Sequence, residues 1–239
     1  MNSSSIRALE ERAAQHGHLH DQLERLSSVG RASLANLSPG RPAILDEDRA
    51  RFEAGLAEIL TALGMNLDTD STRDTPRRFF EALLAATDGY DGDPKLIRSF
   101  PTECMGGANC EQAQIVEGPI PFTALCEHHA LPFSGRVWLG YVAHQEILGI
   151  SKLTRLVNVL SRRFGVQERL THQLADSLEQ LTNAHGVAVY LEAEHMCTRM
   201  RGVREHESMT RTTAYRGVFE TDPSLRSEFR EMALGAHTR

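Results

Sequence analysis

The stretch VAVYLEAEH, Val187–His195, alternates with a period of two: Val187, Val189, Leu191 and Ala193 fall on one side, Ala188, Tyr190, Glu192 and Glu194 on the other. Successive side chains of a strand point to opposite faces, so this pattern predicts a strand with one buried face. Immediately before it the period changes. Leu153, Leu156, Val157, Leu160 and Phe164 mark one helical face, and Val166, Leu170, Leu174, Leu178 and Leu181 a second. Further upstream RVWLGYVA, Arg136–Ala143, alternates again through Val137, Leu139 and Tyr141, and QAQIVEG, Gln112–Gly118, reads as another strand. SMTRTTAYRGVF, Ser208–Phe219, reads as the last strand. A helix pair set between strands in this order predicts an α+β domain, an antiparallel sheet whose helices pack on one face.

Ahead of the strands lie two more helical segments. Phe52, Leu56, Ile59, Leu60 and Leu63 share a face that Gly64 stops, and Thr75–Pro76 opens a helix carrying Phe79, Phe80, Leu83 and Leu84. Residues 1–45 are polar and end in NLSPGRPAI, a linker-like run, so they are expected to be an appendage, partly flexible or helical. The expected organisation is this appendage, a domain over 46–221 (a helical part 46–95 and a catalytic part 96–221), and a polar tail over 222–239.

The 239 residues suffice for one domain with a sizeable core. No run approaches the roughly 18 apolar residues of a membrane helix, and the N-terminus lacks the apolar centre of a signal peptide, so no membrane partner is expected and a cytoplasmic location is. A net charge of -6 weighs against nucleic acid as a partner, since such binding depends on a basic surface. Four cysteines, Cys104, Cys110, Cys126 and Cys197, suit metal binding or burial better than disulfides in such a chain.

Two stretches carry candidate metal chemistry: LCEHHALPF, Leu125–Phe133, and AEHMCTRMRG, Ala193–Gly202. Cys126 and His129 are three apart, a spacing that a tight turn folds onto one side, and Pro132 favours a turn over a helix. If the Val187 strand persisted far enough, His195 and Cys197 would project from one face. Thiolate sulfur and imidazole nitrogen suit zinc, and three protein ligands leave a fourth position for solvent. Glu127 and His128 lie within the same reach. Cys104 and Cys110 flank MGGAN and are read as non-ligands. Spacing alone is equally met by buried thiols and hydrogen-bonded surface histidines.

GISKLTRL, Gly149–Leu156, puts Lys152 and Arg155 in the opening turns of a helix, where acidic residues are the usual choice. A bound anion accounts for that inversion, and so does a solvated basic face. Arg201 and Arg78 add cations that a polyphosphate would need. Gln167 and Glu168 open the next helix, where Glu168 can cap it or accept two N–H bonds from a guanine edge.

Together CEHHALPF, GISKLTRLV, VQERLT, GVAVYLEAEHMC and RGV, in this order, resemble the zinc-dependent GTP cyclohydrolase I family over roughly 46–220. The resemblance implies the tunnelling fold, in which antiparallel sheets of several subunits close into a barrel with helices outside, often as a decamer of two pentamers. It implies zinc held by Cys126, His129 and Cys197, acid/base chemistry at His195 assisted by His128 and Ser151, and guanine anchored by Glu168 with Gln167 beside it. Lys152, Arg155, Arg201 and Arg78 match the cations on the triphosphate, Arg78 serving a neighbour's site. The implied reaction opens the imidazole ring of GTP, releases formate and recloses the ring as 7,8-dihydroneopterin triphosphate, the first step of pterin and tetrahydrofolate synthesis. Thr198, Gly165 and Leu125 depart from the family's common residues, and none is an expected ligand or acid/base.

Overall fold

The computed structural model describes residues 37–97, 99–101, 113–144 and 146–235. Cys104, Cys110 and most of the N-terminal appendage lie outside them. Helices α1 (Asp46–Ala62) and α2 (Thr75–Ala86) come first, then two short 3-10 turns, Asp88–Asp91 and Pro94–Ile97. The sheet elements are β1 (Ser99–Pro101), β2 (Gln114–Cys126), β3 (Pro132–Val142) and β4 (Glu146–Leu148). Next come α3 (Ile150–Ser161), β5 (Phe164–Gly165), α4 (Gln167–Thr182) and β6 (Gly186–His195). A helical turn α5 (Met196–Arg199), β7 (Thr210–Gly217), α6 (Val218–Thr221) and α7 (Pro223–Leu234) complete the order.

The main sheet runs β5-β2-β3-β6-β7, antiparallel except for the short β2–β5 pair, and β1 pairs with β4 separately. The alternation in the sequence becomes one apolar layer. Val137, Leu139, Tyr141, Val187, Val189, Leu191 and Ala193 are at most 1% exposed. They meet Leu153, Leu156, Val157 and Leu160 of α3 and Leu170, Leu174 and Leu178 of α4 in a single cluster. Each such aliphatic side chain stabilises the fold by about 1.5–3 kcal/mol before entropy is counted. Both long helices lie on the same face, as the pattern predicts.

Two features differ from the sequence reading. The first is β2, which continues past Gly118 and through Pro119 and Pro121 to Cys126. Prolines ordinarily argue against a central strand, but β5 covers only Leu125 and Cys126, so most of β2 is an edge where a missing N–H costs no ladder bond. The second is the expected polar tail. Residues 223–234 form α7, capped by Asp222, whose carboxylate accepts from the Ser224 N–H at 2.8 Å. Phe229 and Ala233 pack with Phe219 on Trp138, Ala188 and Tyr190, making a second, smaller layer on the opposite face of the sheet. Gly140 makes room for it, since a Cβ there would stand 2.6 Å from the Phe229 ring.

α1 and α2 pack on each other through Phe52 and Phe80, whose rings lie 5.5 Å apart. Their apolar face is less covered than the core, with Ile59 and Leu63 more than half exposed. Among the described residues no helix is long and apolar enough to cross a membrane.

Candidate active site

Sheet order explains how two distant stretches meet. β3 lies between β2 and β6, so the end of β2 at Cys126 and the end of β6 at His195 share one rim, about 10 Å apart by strand spacing. Residues 127–131 form the hairpin turn between β2 and β3. Cys126 N–H donates to the Leu131 carbonyl at 2.9 Å and Ala130 N–H to the Cys126 carbonyl at 2.8 Å, which curls His129 back over the strand end. β6 stops at His195, and Cys197 stands on the helical turn α5 rather than on a continued strand. That turn carries its thiol towards the β2–β3 hairpin.

The result is a cluster: donor atoms of Cys126, His129 and Cys197 all lie within 4.8 Å of one another. Two sulfurs bound at ~2.3 Å in a tetrahedron stand about 3.8 Å apart, so the trio fits one metal ion with little adjustment. Both thiols are free. Burial raises the Cys197 pKa and the adjacent Cys126 thiol raises it further, so a metal entering here displaces a proton. Arg201 donates to His129 Nε2 at 2.6 Å, and a guanidinium has no acceptor, so that nitrogen carries a lone pair. An imidazole binds metal in that form.

The neighbours of the trio are held firmly. Glu127 N–H donates to Gly165 O at 3.1 Å and Leu125 N–H to Arg163 O at 3.3 Å, so the segment 163–165 splints the turn. Arg163 in turn is buried, donates to the carbonyls of Gly89 and Leu37, and faces the Tyr90 ring. Burial pulls its guanidinium down to about 10. The Glu127 carboxylate accepts two bonds from Arg169, at 2.7 and 2.9 Å, which hold its pKa below the ordinary value. His128 is exposed, with Nδ1 3.8 Å from Cys126 Sγ.

His195 lies flat on Phe133, centroids 4.8 Å apart and planes within 1°, because the two residues are register partners across β3 and β6. Burial lowers its pKa, with Glu168 opposing from the first turn of α4. Its Nε2 is 2.8 Å from Gln167 Oε1. Gln167 is 1% exposed, so its carboxamide faces the protein interior, while Glu168 next to it, in the first turn of α4, is exposed.

The remaining candidates gather elsewhere. Ser151 is exposed in the first turn of α3, Lys152 donates to the Lys95 carbonyl, and Arg155 pairs with Asp93 at 2.7 Å. Burial alone would raise the Asp93 pKa, but Arg155 and the Lys95 N–H outweigh it and leave it low. α3 runs from this cluster back towards the metal rim, where β5 follows it, so Ser151 sits about 15 Å of helix rise before Ser161. Arg78 donates to the Ser71 carbonyl at 2.6 Å, on a helix packed against α1. One chain therefore carries two groups of candidates, a metal rim and a cationic helix start, that its own fold keeps apart.

An α+β chain with two thiols and an imidazole gathered at one rim, and a half-buried histidine two residues from one of the thiols, has the build of a metal-dependent enzyme. A model of the GTP cyclohydrolase I family matches residues 52–234. The chain belongs to the GTP cyclohydrolase I family, and the match extends past the span legible in the motifs to include α7. It is 37% identical over 184 residues to GTP cyclohydrolase 1 of Pseudoalteromonas translucida, covering 77% of this chain and 98% of that one. With the protein of the same name from Deinococcus radiodurans it shares 40% identity over 191 residues, 80% of this chain and 87% of the other. Among solved structures, the archaeosine synthase QueF-Like in its apo form aligns with a TM-score of 0.36 and 15% identity over 44% of this chain and 92% of that one. A likeness at that level supports no conclusion. The antiparallel sheet with helices packed on it agrees with the tunnelling fold.

Proposed function

We propose that this chain hydrolyses GTP at the guanine imidazole ring, releasing formate and forming 7,8-dihydroneopterin triphosphate, the entry to pterin and tetrahydrofolate synthesis. The observation that carries the reading is the Cys126–His129–Cys197 cluster beside His195, in a chain of this family. Zinc is the metal this donor set suits. When bound, it supplies a Lewis acid that lowers the pKa of a water from 15.7 towards about 7, giving the nucleophile needed at the carbon between the imidazole nitrogens.

The chain's own residues do the rest. His195 gives a proton to the neighbouring ring nitrogen and takes it back, work suited to an imidazole near neutrality. The exposed carboxylate of Glu168 accepts from the ring N–H and exocyclic amine of guanine. Lys152, Arg155 and Arg201 bind the triphosphate, as does Arg78 at a neighbour's site. His128 and Ser151 move protons during the ribose rearrangement. The free thiols of Cys126 and Cys197 suit a reducing compartment, in keeping with a cytoplasmic enzyme.

The separation of the metal rim from the start of α3 supports a homo-oligomer. A triphosphate bound by Lys152 and Arg155 and a base bound beside Cys197 fit together when the two groups come from adjoining copies, as in a decamer of two pentamers. The test is incubation of purified, metal-loaded protein with GTP, following formate and, after oxidation, a fluorescent pterin. Both products support the full reaction. Formate without pterin limits the chain to ring opening, and neither product overturns the reading.

A further inference from the structure

Beneath His195 lies a run of polar groups with a single direction, Gln167 and Thr171 buried and Thr212 half-buried. We propose that Gln167, Thr212 and Thr171 form a positioning relay that locks the neutral imidazole of His195 with its proton on Nε2 and leaves Nδ1 as the nitrogen that exchanges protons with the substrate. Proton exchange at Nδ1 rests on the proposed acid/base role of His195; the lock itself does not.

Two backbone carbonyls, which can only accept, fix the orientation of the Gln167 carboxamide. Gln167 Nε2 lies 3.0 Å from the Thr210 carbonyl oxygen and 3.4 Å from that of Leu191. A flipped carboxamide would set its oxygen against both, so the nitrogen has to face them. That orientation points Oε1 at His195 Nε2, 2.8 Å away. A carboxamide oxygen has no proton to give, so the imidazole nitrogen must carry one.

The threonines close off the alternatives. Thr171 Oγ1 is 2.8 Å from the Gln167 backbone carbonyl, so its hydrogen is committed there. Thr212 Oγ1 is 2.6 Å from Thr171 Oγ1 and must therefore donate to it. With its own hydrogen spent, Thr212 accepts from Gln167 Nε2 at 3.2 Å. The two hydrogens of Nε2 thus serve three acceptors, the Leu191 carbonyl being the weakest contact. The run terminates on the backbone carbonyls of Thr210, Leu191 and Gln167, which can only accept, so reversing any bond in it faces an acceptor with an acceptor.

Burial makes that reversal expensive. Gln167 and Thr171 are both 1% exposed, so no solvent repairs a mismatch. Stacking on Phe133 fixes the imidazole plane, and turning the ring over within that plane would put a C–H against Oε1. Among the described residues Nδ1 of His195 has no hydrogen-bond partner. Gln167 thus acts through His195 rather than on guanine, and Thr212 and Thr171 join it as positioning residues.

The test is nitrogen NMR of metal-loaded, 15N-histidine-labelled full chain, with the His195 signals assigned by their loss in His195→Gln. At a pH where this ring is neutral, the expected spectrum has a protonated Nε2 and a bare Nδ1; a protonated Nδ1 overturns the proposal, whatever the enzyme's activity. In Gln167→Met, which keeps the length and removes the acceptor, both tautomers should appear, and an unchanged spectrum counts against the relay. Thr212→Val should lower kcat for GTP about tenfold, the low end of what losing a supporting hydrogen bond costs, with KM and metal content near wild type. Thr212→Ser should restore it. A change in KM alone, or no rescue by serine, contradicts a positioning role. Absence of GTP turnover with the predicted spectrum would sink the proposed function and leave the lock standing.

Discussion

Phe133 and His195 face each other across β3 and β6 as register partners, and their rings stack in parallel at 4.8 Å. Phe133 is also 1% exposed and meets Phe122 edge-on at 5.8 Å, so one ring serves both the core and the site. Phe133→Leu is expected to cost about 1–3 kcal/mol in urea unfolding. It should also lower kcat by more than it changes metal content, because the imidazole loses the surface that fixes its plane. Full activity at wild-type metal content would show that stacking is structural only.

His195 and Cys197 are two residues apart but are assigned different work. His195→Ala should retain the metal and stop formate release, as measured by metal analysis and formate assay on the same preparation. Near-normal formate release contradicts the acid/base assignment.

Lys152 and Cys197 belong to the two groups that one chain holds apart. Lys152→Ala and Cys197→Ser should each be inactive alone. If sites combine adjoining copies, denaturing and reassembling an equal mixture should return activity to about a quarter of wild type, since each site draws its two halves independently. No recovery from mixed assemblies of normal size would place both halves of a site in one chain.

Asp93 offers a pH test whose sign follows from its partners. Its folded pKa lies below the ordinary 3.8, because Arg155 and the Lys95 N–H outweigh burial. The carboxylate therefore stabilises the fold above about pH 4 and loses that contribution as pH falls towards its folded value. Asp93→Asn should be less stable than wild type at neutral pH, with the gap narrowing on acidification. A gap that is constant across the range would mean the ion pair contributes nothing.

α7 should be integral to the domain. Phe229 is fully buried against Trp138 and Phe219, so Phe229→Ala is expected to cost about 3–5 kcal/mol. Asp222→Ala, which removes the cap, should cost about 1 kcal/mol. Both are read from chemical unfolding, and wild-type stability in Phe229→Ala would make the helix dispensable.

The strands β3 and β6 and the helices α3 and α4 are legible because each carries one clear apolar face against the main core, although the other face of the two strands is also covered, at Trp138, Ala188 and Tyr190, by α7. β2 was legible only in part, since its prolines read as an end until the unpaired edge is known. α7 was hidden by its charges, although Asp222–Pro223 and the four-residue spacing of Leu225, Phe229 and Ala233 mark a capped amphipathic helix. At the rim, spacing leaves Cys126, His129, His195 and Cys197 as candidates with Glu127 and His128 in reach, and the family resemblance picks Cys126, His129 and Cys197 from them; only the strand order brings the three together, and the turn at α5 cannot be seen in an alternating pattern. The family resemblance sets Gln167 beside guanine with Glu168. The sequence did hold a signal for its burial: it shares the helical face of Leu170, Leu174 and Leu178, where a polar side chain needs partners inside.

The most direct measurement is zinc per chain in purified protein, taken alongside Cys197→Ser. The account predicts about one zinc per chain, by the three-ligand open site, and a loss of both metal and GTP turnover in the variant. Full metal occupancy in Cys197→Ser, or turnover by protein stripped of metal, would contradict it.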